Sequence, residues 1–296
     1  MNIVVVGPGA IGSLWACHLA LAGHNVSLWS RQHVTSINLA LGKTPSLSFA
    51  NHQRSALTKA DMLLVTVKAW QVDAAIRPLI PHLDPRTILL FCHNGMGALD
   101  QLAPTLSSHP MVLATTTHGA FKPTPNQVNH TGLGHTQLGA YNTQGQQCQF
   151  LTDVLHHALP DVQWNEHIQS ALWHKLAINC AINPLTALHQ CRNGDLADPQ
   201  FQAPLEAIID ELVQVMHAES IDVSKQALRS NIHNVIAATA TNFSSMQQDV
   251  FYQRKTEIDF ITGYLLRRAT HHGIEVPTNS ALYQQIKHTE LSWTSS

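Results

Sequence analysis

A doubly wound α/β domain followed by an all-helical domain is the architecture the sequence predicts, and three observations carry it. A β-branched run, Asn2–Val6, leads straight into Gly7-Pro8-Gly9-Ala10-Ile11-Gly12 and then into an apolar helical stretch. Strand-like and helix-like segments alternate as far as Trp164. From about residue 167 the strand signals vanish, and apolar residues recur at the 3.6-residue period of a helix. Strand–helix alternation specifies a mostly parallel sheet with helices on both faces. The division falls at residue 166, giving an α/β domain over 1–166 and a helical one over 167–296.

The elements follow in order. Residues 2–6 predict a buried strand, 13–21 a helix stopped by Gly23, and 25–30 a second strand. In the glycine turn, Gly7 permits the sharp bend, Gly9 lets backbone approach a pyrophosphate, and Gly12 lets helix pack closely on strand. A helix N-terminus offers free N–H groups and a positive dipole end to phosphate, here from Ala10 and Ile11. Pro8 has no N–H, but its position in the motif is a variable one.

The second strand ends Leu28-Trp29-Ser30-Arg31, without a carboxylate. NAD-specific sites place an acid there to accept hydrogen bonds from the ribose 2′-OH. A guanidinium grips a 2′-phosphate bidentately instead. A hydrogen bond to a charged group contributes about 1.5–3 kcal/mol, enough for a tenfold preference. The expected cofactor is therefore NADPH/NADP+, with Arg31 and Ser30 as its readers.

Further strands are expected over 61–67, 87–92, 111–117 and 162–164, with helices over 71–80 and 146–158. Residues 118–145, rich in Gly, Pro, Asn and Thr, predict a hairpin with 132–141 as one arm. The second half predicts helices over 168–180, 201–218, 224–240 and 244–272, punctuated by Pro184, 191–195 and Pro199. An open α/β sheet binds ligand at the carboxyl ends of its strands, where the loops 7–12, 68–70 and 93–97 fall.

Composition narrows the function classes. A chain of 296 residues is long enough for two cores. A net charge of −2, with 12% charged residues, provides no basic field for nucleic acid. No apolar run approaches the roughly 18–20 residues that span a bilayer, and no secretory leader is read at the N-terminus. Five cysteines without CxxC spacing read as reduced thiols of a cytoplasmic protein. The 20 histidines fall into no HExxH or finger-like spacing, so no metal site is expected. The expected partner is a small-molecule substrate, and the chain is expected to be a monomer or a homodimer.

Candidate chemistry opens the helical half. Lys175 and Asn179 are four apart and share a helix face, and Asn183 lies one turn further. Leu172, Leu176, Ile178 and Cys180 suit a core on the other side. One cation and two amides on an otherwise apolar helix point to a site. Hydride delivery to a ketone develops charge on its oxygen, which calls for a proton donor or a fixed cation. Lysine can be both, although its unperturbed pKa of about 10.4 is high for the task. Desolvation beside a second cation would lower it, and Lys68 is a candidate for that cation. Asn242, Ser245 and Asp249, at spacings of three and four, share one helix face, and Glu257 lies twelve residues past Ser245 on nearly the same face. Glu257 fits a buried partner for the lysine, and fits an ordinary helix carboxylate paired with Lys255 or Arg254 equally well.

Taken together, several segments closely resemble the ketopantoate reductase family. They are the 7–12 turn with Arg31, Thr66-Val67-Lys68-Ala69-Trp70-Gln71-Val72, His93-Asn94-Gly95-Met96-Gly97, the run from Lys175 to Thr186, Ser244-Ser245-Met246-Gln247-Gln248-Asp249 and Thr256-Glu257-Ile258-Asp259. The resemblance extends to about residue 280 with the segments in family order. It implies a Rossmann-type N-terminal domain and reduction of 2-dehydropantoate (ketopantoate) to (R)-pantoate with NADPH, in pantothenate and coenzyme A biosynthesis. It implies Lys175 as catalytic lysine, Glu257 as its acidic partner, and Asn179, Asn183, Ser245 and Asn242 as substrate ligands. Lys68 and Asn94 would line the nicotinamide end, with Asn94 also facing substrate, and Arg31 would read the 2′-phosphate. A 3-hydroxyacid dehydrogenase of similar architecture shares the lysine–asparagine pair; the 244–249 and 256–259 segments favour the pantoate enzyme. A non-catalytic NADPH sensor would have lost Lys175 and Glu257, and both are present.

Overall fold

The computed structural model describes residues 1–293. It divides into two compact units, one comprising Met1–His93 with Ala98–Ile168, the other comprising Asn94–Gly97 and the chain from Gln169 onward.

The first unit is built on eleven strands: β1 Asn2–Val6, β2 Asn25–Trp29, β3 Ser36–Leu41, β4 Leu47–Asn51, β5 Met62–Val65, β6 Ile88–Phe91, β7 Met111–Thr116, β8 Gly119–Thr124, β9 Gln127–Gly132, β10 Thr136–Ala140 and β11 Val162–Trp164. Their order is β11-β10-β7-β6-β5-β1-β2-β4-β3-β9-β8. The centre, β7-β6-β5-β1-β2, is parallel throughout. Its strands β5, β6 and β7 are buried at every residue, which is why they read as continuous apolar runs instead of alternating ones. The helices of this unit are α1 Ala10–Leu21, α2 Arg54–Thr58, α3 Val72–Ile76 and α4 Leu151–Ala158. Leu14, Trp15 and Leu19 of α1 share a core with Ile3, Val5, Leu28, Leu64 and Leu90.

Two sequence expectations are corrected here, and two strands are added to them. Residues 71–80 form no continuous helix: a 3-10 turn at Ala69–Gln71 precedes the short α3, and a second one follows at Ile80–His82. Pro78 and Pro81 carry no N–H and disfavour helical geometry in the residues before them. Residues 132–141 are not one hairpin arm. The hairpin is β8–β9, and β10 returns to pair antiparallel with β7, Leu138 opposite Ala114. Residues 36–51 carried no strand expectation but form β3 and β4, antiparallel to each other, with β4 parallel to β2.

The second unit contains α5 Ile168–His189, α6 Pro199–Ala218, α7 Lys225–Ala238, α8 Ser245–Phe251, α9 Thr262–His272 and α10 Pro277–Ser292. Trp173, Leu176, Cys180, Leu205, Ile209, Leu212, Ile232, Leu265 and Ile286 pack into one core. Pro184 does not end α5, because Leu176, Cys180, Ile182, Leu185 and Ala187 are all buried around it, and that packing outweighs one missing hydrogen bond. Residues 244–272 are not a single helix. The α8 helix stops at Phe251, Gln253 takes φ 50°, and the Arg254 N–H turns back to the Asp249 carbonyl at 2.7 Å. Glu257 therefore lies in the irregular segment between α8 and α9 and shares no helix face with Ser245. No helix among the described residues is long and apolar enough to cross a membrane.

Candidate active site

In the sheet unit the glycine turn is fixed from inside. The Gly7 N–H donates to the Trp29 carbonyl at 2.9 Å, and the Thr66 hydroxyl donates to the Gly7 carbonyl at 2.8 Å. Gly7 has φ +85°, and a Cβ there would fall 2.3 Å from Val67 Cγ1. A Cβ at Gly12 would fall 2.3 Å from Thr66 Oγ1 and 2.4 Å from the Gly7 carbonyl oxygen. Gly9 differs: it is exposed, and its Cβ would meet only the Gly7 carbonyl oxygen, at 4.0 Å. Packing within the chain leaves room for a side chain at Gly9, so internal contacts alone do not require glycine there. The first intrahelical bond of α1 runs from Ser13 N–H to the Gly9 carbonyl, leaving the N–H groups of Ala10, Ile11 and Gly12 ahead of it. This donor set fits a phosphate group.

Two residues not singled out from sequence support this turn. The Pro8 carbonyl accepts from the Ser13 hydroxyl at 3.0 Å and from Lys122 Nζ at 3.2 Å, and Lys122 also donates to Ser13 Oγ at 3.1 Å. Burial lowers the Lys122 pKa, with the nearby Cys17 opposing that shift. At the end of β2, Arg31 is exposed, and the residues beside it are hydrogen-bonded to Asn51. Lys68, half-buried, follows β5 and donates its N–H to Gln71 Oε1 at 3.3 Å.

In the helical unit, Lys175, Asn179 and Asn183 occupy successive turns of α5, the first two half-buried and Asn183 buried. Glu257 is also buried, and Asn94 donates to its Oε2 from Nδ2 at 3.3 Å. Residues 163 positions apart thus meet within one unit. Asn94 reaches it because Asn94–Gly97 belongs to the helical unit. The Met96 N–H bonds the Phe260 carbonyl at 2.8 Å, and Gly95 lies against the same group, where a Cβ would come within 2.4 Å of its oxygen. Of the two suggested partners for Glu257, Arg254 pairs instead with the buried Asp249 at 3.4 Å.

Asn242 and Ser245 are exposed on either side of the buried Ser244. Ser244 caps α8 by accepting from Gln247 N–H at 3.0 Å, and its hydroxyl bonds Thr186 of α5 at 2.7 Å. A serine followed three residues later by glutamine is a helix-start signal that could have marked it. Asn193, also unremarked from sequence, donates its backbone N–H to the Asn242 carbonyl at 2.9 Å and its Nδ2 to Thr239 Oγ1 at 2.9 Å. The segment bearing Glu257 is held by α10: Glu290 accepts from Thr256 N–H and Oγ1 at 2.8 and 2.7 Å, and Tyr283 and Lys287 bind Asp259.

A Rossmann-type α/β unit with a phosphate-compatible glycine turn, followed by an all-helical unit bearing a lysine, three amides and a buried carboxylate, defines a class of two-domain oxidoreductases. Residues 3–143 match the family described as ketopantoate reductase PanE/ApbA, and residues 167–290 match the C-terminal part of that family. The chain is 58% identical over 294 residues to the 2-dehydropantoate 2-reductase of Vibrio cholerae, covering 99% of both chains. It is 41% identical to the protein of the same name from Yersinia pestis, covering 99% of this chain and 96% of that one. A crystal structure of a PanE/ApbA family ketopantoate reductase from Ralstonia eutropha superposes with a TM-score of 0.87 at 27% identity, over 98% of this chain and 99% of that one. The chain belongs to the ketopantoate reductase family.

Proposed function

We propose that this chain reduces 2-dehydropantoate to (R)-pantoate with NADPH, the step that feeds pantothenate and coenzyme A biosynthesis. The observation that carries this reading is 58% identity to a 2-dehydropantoate 2-reductase along essentially the whole of both chains. Bound NADPH would supply the hydride. The residues of the chain supply the rest.

Residues 1–166 hold the cofactor in this reading and 167–296 the substrate. The N–H groups of Ala10 and Ile11, within the Gly7-Pro8-Gly9-Ala10-Ile11-Gly12 turn, would hold the pyrophosphate, and Arg31 would hold the 2′-phosphate. Lys68 and Asn94 serve the nicotinamide end. Asn179, Asn183, Asn242 and Ser245 bind the carboxylate and hydroxyl of the substrate. The Lys175 ammonium polarises the ketone and gives its proton to the developing alkoxide, a role that typically contributes about 10²–10⁴-fold. Glu257, steadied by Asn94, is the carboxylate that binds the substrate hydroxyl and orients that lysine. The five cysteines are free, and we place the enzyme in the cytoplasm as a monomer or homodimer.

The experiment is a steady-state assay of the purified chain against a panel of 2-keto and 3-hydroxy acids, with each nicotinamide coenzyme. Ketopantoate with NADPH should give the highest kcat/KM, with NADPH preferred over NADH by about tenfold or more. A higher kcat/KM for another acid, or an absence of turnover, would overturn the assignment.

A further inference from the structure

Asn51, the last residue of β4, is 1% exposed, and its side chain brackets Arg31. Its Oδ1 accepts the Ser30 N–H at 3.1 Å, and its Nδ2 donates to the Gln32 carbonyl at 2.9 Å and the Val34 carbonyl at 2.7 Å. We propose that Asn51 is a positioning residue for coenzyme selectivity, holding the 30–34 backbone so that the exposed Arg31 guanidinium is presented to the 2′-phosphate. The inference rests on the assignment of Arg31 as phosphate reader.

An asparagine side chain has one acceptor oxygen and two amide hydrogens, and here all three functions go to the loop that carries Arg31. No aspartate, leucine or alanine can make that set. The register places it there: β2 pairs parallel with β4, Leu28 opposite Asn51, so the amide sits where β2 ends and the loop begins. Neighbours tighten the same loop. The Ser30 hydroxyl accepts the Gln32 N–H at 3.0 Å, the His52 ring bonds the Ser30 carbonyl, and His52 packs against Trp29 in a tilted pair with centroids 4.5 Å apart. An exposed arginine on a free loop loses backbone and rotamer freedom when it closes on a ligand, and a loop already fixed loses less. Only a ligand that engages the guanidinium benefits. A ligand lacking the 2′-phosphate is indifferent to it.

The test is calorimetric binding of adenosine 2′,5′-bisphosphate and of 5′-AMP to the full chain and to Asn51→Ala, Asn51→Ser, Arg31→Ala and Asn51→Ala/Arg31→Ala. These probes need no turnover, so failure of the ketopantoate assignment leaves the result intact. Asn51→Ala should weaken the bisphosphate about tenfold and 5′-AMP less than twofold, with Asn51→Ser falling between. In the Arg31→Ala background the second substitution should add nothing for the bisphosphate. Equal weakening of both ligands, or full additivity with Arg31→Ala, would make Asn51 merely structural and overturn the proposal. An Arg31→Ala variant that still prefers the bisphosphate as the parent does would overturn the phosphate assignment and this inference with it. Should Asn51→Ala not fold, Asn51→Ser carries the same comparison.

Discussion

A methyl group at Gly12 would sit 2.3 Å from Thr66 Oγ1 and 2.4 Å from a carbonyl oxygen, whereas one at Gly9 would find nothing nearer than 4.0 Å. Gly9 also has φ −68°, which alanine adopts freely. The two glycines should therefore fail differently. Gly12→Ala should lower folding stability by about 1–3 kcal/mol, because the overlap is with backbone as well as side chain. Gly9→Ala should keep its melting temperature but weaken coenzyme binding about tenfold or more, by placing a methyl group where backbone would approach the pyrophosphate. Thermal melts with a coenzyme titration check both, and a Gly9→Ala variant that binds like the parent would remove its ligand-facing role. The glycine spacing was legible in the sequence because all three glycines fall within six consecutive residues between a strand and a helix. Asn51 and Lys122 were not legible: their partners lie about 20 and 110 residues away, brought close only by strand order.

At the scale of elements, the long, strongly periodic helices and the continuously apolar strands could be read directly, while the interruptions could not. The end of α8 is set by Gln253 in a left-handed conformation and by the Arg254–Asp249 contacts, neither of which perturbs the apolar period. Moving Glu257 off the helix is the correction with the largest consequence, because it exchanges a helical neighbour for Asn94. Helix–helix staples depend on charge as well as packing. Glu219, at the C-terminal end of α6, accepts hydrogen bonds from Arg268 at 2.7 Å and His272 at 2.5 Å, both on α9. Burial opposes its ionisation, but those two partners outweigh burial and hold its pKa below the usual carboxylate value. A depressed carboxylate pKa stabilises the fold above the ordinary range, and that stabilisation disappears as pH falls through the folded value. Glu219→Gln should therefore cost about 1–2 kcal/mol near neutral pH, and the cost should fade below about pH 4. Denaturant melts of parent and variant at both pH values measure it; a penalty that does not change with pH would show that the ion pair is not its source.

Across the whole molecule, the candidate residues divide between the two units. The sheet unit carries the glycine turn and Arg31, and the helical unit carries Lys175, Asn179, Asn183 and Glu257, together with Asn94 borrowed from the first half of the sequence. The last helix, α10, is integral: it buries Leu282 and Ile286 and anchors the Glu257 segment through Glu290. Its packing role left no motif to recognise. The central claim is that the Lys175 helix performs the acid chemistry while the sheet unit binds coenzyme independently of it. The most direct measurement is the Lys175→Ala variant, with its NADPH Kd and its kcat on ketopantoate determined side by side. The account predicts a Kd within about twofold of the parent and a kcat lower by about 10²-fold or more. A kcat within a few-fold of the parent would contradict it.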